Sequence, residues 1–382
     1  MNAPSPLPPG ADVAEMELGE LEAVLEAQGC EGYHARQIYR WVYRRGTTDF
    51  NEMTDLSREL RARLAGGLHV STPRVVTRAT STDGTVKFML ELADGRRIES
   101  VFIPDTPAEA GRPGESRFGE ARGPRAERAT FCISTQVGCA MTCRFCLTGR
   151  MGLARNLTAG EIAGQVRVLA QALGLRDTRF NIVLMGMGEP LHNYDSTMKA
   201  LRILADKHGF AVSPRRITLS TVGVVPGLKR LATEPLMPNL AISLHAAAEE
   251  QRDLLVPVNH KYGLAEILDV CRQFPLKRRN RITFEYVLLA GVNDTPDDAR
   301  RLARLLGGIR CKVNLIALNE AAGIPFKRPS DARVNAFAET LAAHHLTVSV
   351  RKSRGRDIRA ACGQLIVEGP QPSPGRRLAA QL

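Results

Sequence analysis

The sequence predicts an α/β protein, an incomplete (β/α)6 barrel preceded by a helical module and a small β extension. Three observations point there. From residue 129 onward, apolar strand-like runs alternate with helical stretches six times, a pattern that calls for parallel strands joined by crossover helices. Six such units fall short of a closed eight-strand barrel, so one side should stay open. Ahead of them lie a segment with three- and four-residue apolar spacing and a segment rich in β-branched residues.

Taken in order, residues 1–16 are Pro-rich at the start and read as a disordered N-terminus. Residues 17–70 form the helical module. Leu18, Leu21, Val24 and Leu25 share one face, Ile38, Trp41 and Val42 another, and Ser57 is placed to cap a third helix. The second helix presents Arg36, Arg40, Arg44 and Arg45, a basic face that on this pattern is either a solvated surface or a contact for a polyanion. Residues 71–128 make up the β extension and a linker. Strands are expected near 75–76, 86–92 and 98–103, and residues 105–128 are poor in apolar side chains, as in a long insertion. The core spans 129–366, with strands at 131–137, 180–185, 216–220, 240–244, 282–289 and 312–318. Helices are expected at 159–173, 196–208, 265–274, 297–306 and 331–341. Residues 367–382 read as a disordered tail.

The chain has 382 residues, with 52 Lys and Arg against 40 Asp and Glu, a formal charge of +12. That excess favours a polyanionic partner. No apolar run is long enough to span a bilayer, and the N-terminus lacks the basic-then-apolar pattern of a secretory signal. A cytoplasmic protein is therefore expected, and nothing demands a partner chain, so a monomer is expected too. Eight cysteines in this setting point to metal or catalysis rather than to a disulfide scaffold.

The sharpest motif is Cys139-Ala-Met-Thr-Cys143-Arg-Phe-Cys146, just past the first core strand. Zinc sites usually show four ligands in paired form, and no second pair follows. Three thiolates on a four-iron cube would leave one iron open for a small molecule. Zinc and a thiol redox site remain the alternatives on spacing alone. Polar residues cluster at strand ends, where ligands bind in both barrels and open sheets: Gly188 and Glu189, Ser220 and Thr221, His245, and Asn319.

This CxxxCxxC run at the first strand of a βα-repeat resembles the radical S-adenosylmethionine superfamily. Phe131-Cys-Ile-Ser-Thr-Gln-Val-Gly-Cys139, Met187-Gly-Glu-Pro190, Leu219-Ser-Thr221, Leu240-Ala-Ile-Ser-Leu-His245 and Arg354-Gly-Arg-Asp-Ile-Arg-Ala-Ala-Cys-Gly-Gln364 look like the RlmN-type RNA adenine-C2 methyltransferases. The resemblance runs from the helical module to about residue 365. It implies a radical SAM barrel holding a [4Fe–4S] cluster on Cys139, Cys143 and Cys146, two S-adenosylmethionine molecules per turnover, and an external electron donor. The implied substrates are adenines of 23S rRNA and of some tRNAs.

The resemblance also implies residue roles. Cys362 would take a methyl from one S-adenosylmethionine, and a 5′-deoxyadenosyl radical from a second would activate it for addition to adenine C2. Cys132 would resolve the resulting crosslink by pairing with Cys362, and Glu99 would accept a proton. Gly188, Glu189, Ser220, Ser243, Leu244, His245 and Asn319 fall at positions that contact S-adenosylmethionine. Candidate phosphate contacts are the Arg36–Arg45 face, the 277–281 run, Lys327 with Arg328, and the 351–356 run before Cys362. Cys30, Cys271 and Cys311 match no motif and read as packing residues. Two alternatives stay open: a related adenine-C8 methyltransferase, and an iron–sulfur RNA-binding protein without catalysis.

Overall fold

The computed structural model describes residues 10–104 and 129–367. Its centre is a ten-stranded sheet in the order β14-β13-β12-β11-β10-β9-β6-β5-β4-β3. Strands β6 (Ala129–Cys132), β9 (Phe180–Leu184), β10 (Ile217–Thr221), β11 (Asn239–Ser243), β12 (Ile282–Leu288), β13 (Cys311–Ala317) and β14 (Val348–Val350) are parallel. Strands β3 (Arg74–Thr80), β4 (Val86–Glu91) and β5 (Arg97–Pro104) continue the sheet as an antiparallel meander.

The parallel strands follow one another without reversal of order. Because such crossovers are right-handed, every connecting helix falls on the same face of the sheet. A doubly wound sheet would need a reversal, so the open barrel expected from the sequence is the architecture found. The helices of that layer are α5 (Ala159–Ala172), α6 (Tyr194–Ala205), α7 (Val225–Leu231), α8 (Glu249–Leu255), α9 (Leu264–Gln273), α10 (Pro296–Leu305) and α11 (Asp331–Ala343). Local sequence starts several of them: Thr158 with Glu161, and Thr295 with Asp298, form capping boxes, and Ser330 caps α11. Ring contacts identify the helix-facing side of the strands. Tyr286 lies 5.3 Å from Phe337 of α11, and Phe131 joins Phe180, which meets Phe210. Since side chains alternate along a strand, Cys132 and Glu285 point to the other, concave face.

Two strand expectations are corrected. A seventh parallel strand, β14, follows the six units, and the run at 131–137 is broken. Its second half forms β7 (Gln136–Gly138), which leaves the sheet and pairs antiparallel with β8 (Leu153–Asn156). The break has a cause: the Thr135 N–H donates to the Met187 carbonyl at 2.8 Å, and the Ser134 N–H to Gln165 Oε1 at 2.7 Å, so neither continues the ladder. The resulting ribbon carries the cysteine loop at its tip.

The helical module contains α1 (Leu18–Glu26), α2 (Tyr33–Tyr39) and α3 (Arg58–Gly67), and α2 runs on through a π-helical turn at Arg40–Arg45. Ser57 caps α3 as expected, its Oγ accepting from Leu60 N–H at 3.2 Å. Part of the segment read as a disordered N-terminus is structured. Residues Ala11–Asp12 form β1, paired with β2 (Leu68–His69), and Val13 and Ala14 are buried. The linker read at 105–128 and the tail from 368 lie outside the described residues. No helix among the described residues is long and apolar enough to cross a membrane.

Candidate active site

The cysteine loop connects β7 to α4 (Leu147–Arg150) and is built around close backbone approaches. Gly138 has φ +78°, and a Cβ there would overlap the Gly152 carbonyl oxygen. A Cβ on Gly149 would come within 2.9 Å of the Cys143 backbone. Only glycine permits both. The loop is tied to α8 by the Arg144 N–H donating to the Leu255 carbonyl at 3.0 Å. Cys139, Cys143 and Cys146 are all free thiols whose pKa values are raised by burial and, secondarily, by neighbouring thiols: Cys146 for Cys139, Cys139 and Cys146 for Cys143, and Cys362 for Cys146.

The three thiols therefore converge, yet among the described residues no three His, Cys, Asp or Glu side chains are disposed around a single metal ion. A tetrahedral zinc would need its thiolates about 2.3 Å from one centre. A cube takes each thiolate on a different iron and needs them farther apart. Three convergent thiols on one loop, with no paired second set, suit a four-iron cube that keeps one iron open.

Above this loop runs the C-terminal strap, residues 351–366, which carries Cys362. It starts at β14, on one edge of the sheet, and reaches the β3–β4 turn near the other. Asp357 accepts from Ser81 Oγ at 2.6 Å and from Thr82 N–H at 3.2 Å, and the Gly355 N–H donates to Asp83 at 2.9 Å. It then returns over the cysteine loop. The Leu147 N–H donates to the Gly363 carbonyl at 2.8 Å, and Thr148 Oγ1 donates to the Leu365 carbonyl at 2.7 Å. Gly363, with φ +81°, lies so close that a Cβ would sit 3.4 Å from the Phe145 carbonyl oxygen. Cys362 is half-buried and electrostatically close to both Cys132 and Cys146. Burial, and then the neighbouring Cys362, push the Cys132 thiol up to about 12. The structure thus brings together two thiols separated by more than two hundred residues, and both are free.

Glu99, which the resemblance assigns as proton acceptor, lies on the same face. A carboxylate near the end of a β-run is usually exposed, but Glu99 is 1% exposed on the concave face. It shares that face with Val101, which is in register with Cys132. Lys87 Nζ lies 2.8 Å from one of its carboxylate oxygens, and the Ile366 N–H of the strap donates to the other at 2.9 Å.

The strand-end residues surround the same mouth. Gly188 has φ +103°, and a Cβ there would collide with Gln136. Glu189 is buried, and its oxygens accept from the Leu191 and Val222 N–H groups at 3.0 and 2.9 Å, clamping the ends of β9 and β10. Burial raises it to about 7. The carboxylate is therefore already engaged with backbone. Ser220 and Ser243 face each other at 3.2 Å between Oγ atoms. The Leu244 N–H donates to the Glu285 carbonyl.

His245 adopts φ +63°, a conformation rare for a residue with a Cβ. Its Nδ1 accepts from the Val287 N–H at 3.1 Å, which places the ring proton on Nε2, and burial holds its pKa down at about 3. Its ring meets Phe145 of the cysteine loop edge-on at 4.8 Å. Asn319 Nδ2 donates to the Cys362 carbonyl at 3.1 Å, while its buried Oδ1 has no partner.

Arg252, which sequence reasoning missed, binds this shell together. Fully buried in α8, it donates to the Leu244 carbonyl at 3.1 Å, to Asn259 Oδ1 at 2.6 Å and to the Val222 carbonyl at 2.5 Å. A lone arginine on the apolar side of a short helix was the available signal. The basic faces divide differently from expectation. Arg44 donates to the Gly209 and Lys207 carbonyls, Arg36 pairs with Glu22, Arg45 stacks on Trp41 and Arg328 pairs with Asp331. The 277–281 run lies before β12, at the end of the sheet away from the cysteines.

Comparison with known proteins agrees with this geometry. Residues 133–306 match the radical SAM superfamily, and residues 11–70 match the ribosomal RNA large subunit methyltransferase N-terminal domain. The chain is 46% identical to the dual-specificity RNA methyltransferase RlmN of Anaeromyxobacter dehalogenans, over 97% of this chain and 96% of that one. It is 48% identical to the RlmN of Geobacter sulfurreducens, over 93% and 91%. A crystal structure of a radical SAM methyltransferase from Sphaerobacter thermophilus superposes with a TM-score of 0.83 at 44% identity, covering 93% of this chain and 99% of that one. The chain belongs to the RlmN family of the radical SAM superfamily.

Proposed function

We propose that this protein is a radical SAM RNA methyltransferase that places a methyl group on carbon 2 of an adenine in 23S rRNA and in some tRNAs. The observation that carries the reading is the strap, which lays Cys362 over the Cys139–Cys143–Cys146 loop and beside Cys132. A non-catalytic iron–sulfur protein has no use for that convergence.

An adenine C2–H is neither acidic nor nucleophilic, so simple displacement on a sulfonium methyl is closed to it. The [4Fe–4S] cluster and S-adenosylmethionine, when bound, supply the one-electron chemistry that such a carbon requires. Cys139, Cys143 and Cys146 would hold the cluster. Gly188, Glu189, Ser220, Ser243, Leu244, His245 and Asn319 would hold S-adenosylmethionine, with the Asn319 Oδ1 orphan an acceptor for it. The engaged state of Glu189 leaves the Gly188–Glu189 backbone as the more open part of that turn.

The remaining roles belong to side chains of the concave face. The Cys362 sulfur carries the methyl to the base, and Cys132 joins Cys362 as the carbon leaves. Glu99 takes the proton on a carboxylate that Lys87 and the Ile366 N–H hold in place. RNA would approach from the strap side, where Lys352, Arg356 and Arg359 are exposed and the target base can be turned out of its stack. An external donor supplies electrons, and the protein works as a cytoplasmic monomer.

The test is mass spectrometry of digested ribosomal RNA after anaerobic incubation with cluster-loaded protein, a reductant and S-adenosylmethionine. The reading predicts C2-methyladenosine. C8-methyladenosine would move the protein to the related C8 chemistry, and cleavage of S-adenosylmethionine without a methylated base would overturn the RNA substrate.

A further inference from the structure

Around the helix layer, exposed arginines carry their own counter-charges. Arg230 pairs with Asp195, Arg272 with Asp269, Arg300 with Asp297 and Arg328 with Asp331, at 2.5 to 2.8 Å. One group of arginines is arranged differently. At the N-terminal ends of β12 and β13, opposite the cysteine mouth, Arg278, Arg279, Arg281, Arg310 and His345 line a cavity of about 510 Å³. No Asp or Glu is among its lining residues.

Two of these guanidinium groups are fixed in place. Arg310 donates to the Arg278 carbonyl at 3.0 Å and to the Leu276 carbonyl at 2.8 Å, and Arg281 donates to Thr347 Oγ1 at 2.8 Å. A guanidinium has five N–H donors, so both keep donors to spare. Arg278 and Arg279 are exposed, and their side chains have no ion-pair or hydrogen-bond partner among the described residues. Lys312, exposed on β13 and in register with Thr283, carries the positive charge on along the concave face. Like charges gathered in a concavity focus a positive potential, and guanidinium groups match phosphate oxygens in pairs. A chain of regularly spaced phosphates would engage several of them at once.

We propose that this cavity is a second RNA-binding site, which grips backbone phosphates of the substrate RNA away from the turned-out base. This rests on the RNA reading above and adds to the strap side a contact at the other end of the barrel. The seven residues of β12 set the two about 20 Å apart.

The test is the salt dependence of 23S rRNA binding by cluster-loaded protein, kept anaerobic, for wild type and for Arg278→Ala/Arg279→Ala. The slope of log affinity against log salt should fall in magnitude by about one to two in the variant, with binding weakened severalfold or more. The charge-matched Lys229→Ala/Arg300→Ala protein, altered on the helix layer, should keep the wild-type slope. An equal fall in both variants would mean that only net charge matters and would overturn the proposal. In the wild type, RNA should also protect Arg278 and Arg279 from phenylglyoxal, read by peptide mass spectrometry. Absence of protection would overturn the proposal even if the variant misfolds. Inorganic phosphate that protects as well as RNA at equal phosphate concentration would mark a small-anion site and overturn it too. If the wild type neither binds nor methylates RNA, the proposed function fails first. RNA methylated by the wild type, with an unaltered slope in the variant, overturns this proposal alone.

Discussion

The two ends of the described chain are both fastened to the barrel, but on opposite terms. Beyond the packing of Tyr43 on Phe210, the N-terminal module is held by polar and charged side chains. Glu17 pairs with Arg202 and Glu20 with Lys199, both at 2.8 Å, Glu15 accepts from the Gly160 N–H at 2.9 Å, and Arg44 donates to two carbonyls. The C-terminal strap is held mainly through its backbone, at Gly355, Gly363, Leu365 and Ile366. Charged contacts at a surface tolerate angular play, whereas a run of backbone hydrogen bonds fixes a path. The difference suits a scaffold at one end and, on the proposed function, a reactive sulfur at the other.

That contrast can be broken from either side. Asp357→Ala removes the acceptor that ties the strap to Ser81 and Thr82. It should lower methylation about tenfold or more, and should speed alkylation of Cys362 when the labelled peptide is followed by mass spectrometry. An unchanged alkylation rate would mean that the strap does not depend on this tie. Arg44→Ala should instead cost about 1–2 kcal/mol of unfolding stability in denaturant titration and leave Cys362 alkylation unaltered.

A smaller, pH-dependent effect sharpens the account of the mouth. His245 titrates near 3 in the folded protein against 6.5 for a free ring, so the folded state refuses a proton that the unfolded chain accepts. Its contribution to stability is complete above about 6.5 and is lost progressively as the pH falls towards about 3. Asn tolerates the left-handed backbone at this position. Wild type and His245→Asn, compared by thermal unfolding across that window, should therefore converge at low pH, and a constant gap would contradict the assignment. Smallest of all, Arg36→Ala breaks an exposed pair with Glu22 and should shift stability by no more than about 0.5 kcal/mol.

Much of this was legible in the sequence because the signals are periodic or local. The six strand-helix units follow from hydrophobic alternation, the Ser57 cap from residue type, and the cysteine loop from spacing. What escaped has physical reasons. Strand β14 is three residues long and half exposed, so it carries no apolar run. Glu99 and Glu285 sit on a concave face that strands build together, and no single strand announces which side will be enclosed. The four arginines near the second helix look alike in sequence, yet Arg44 and Arg36 are occupied by protein partners. A charge pattern does not distinguish an arginine that docks a module from one that waits for a phosphate.

The central claim is that the strap delivers the sulfur which carries the methyl group. The most direct measurement is the Cys362→Ala variant, assayed for RNA methylation and for iron and sulfide content in the same preparation. The account predicts no methylated adenine with the cluster fully loaded, because Cys362 is separate from the Cys139, Cys143 and Cys146 donor set. Methylation at the wild-type level in that variant would contradict it.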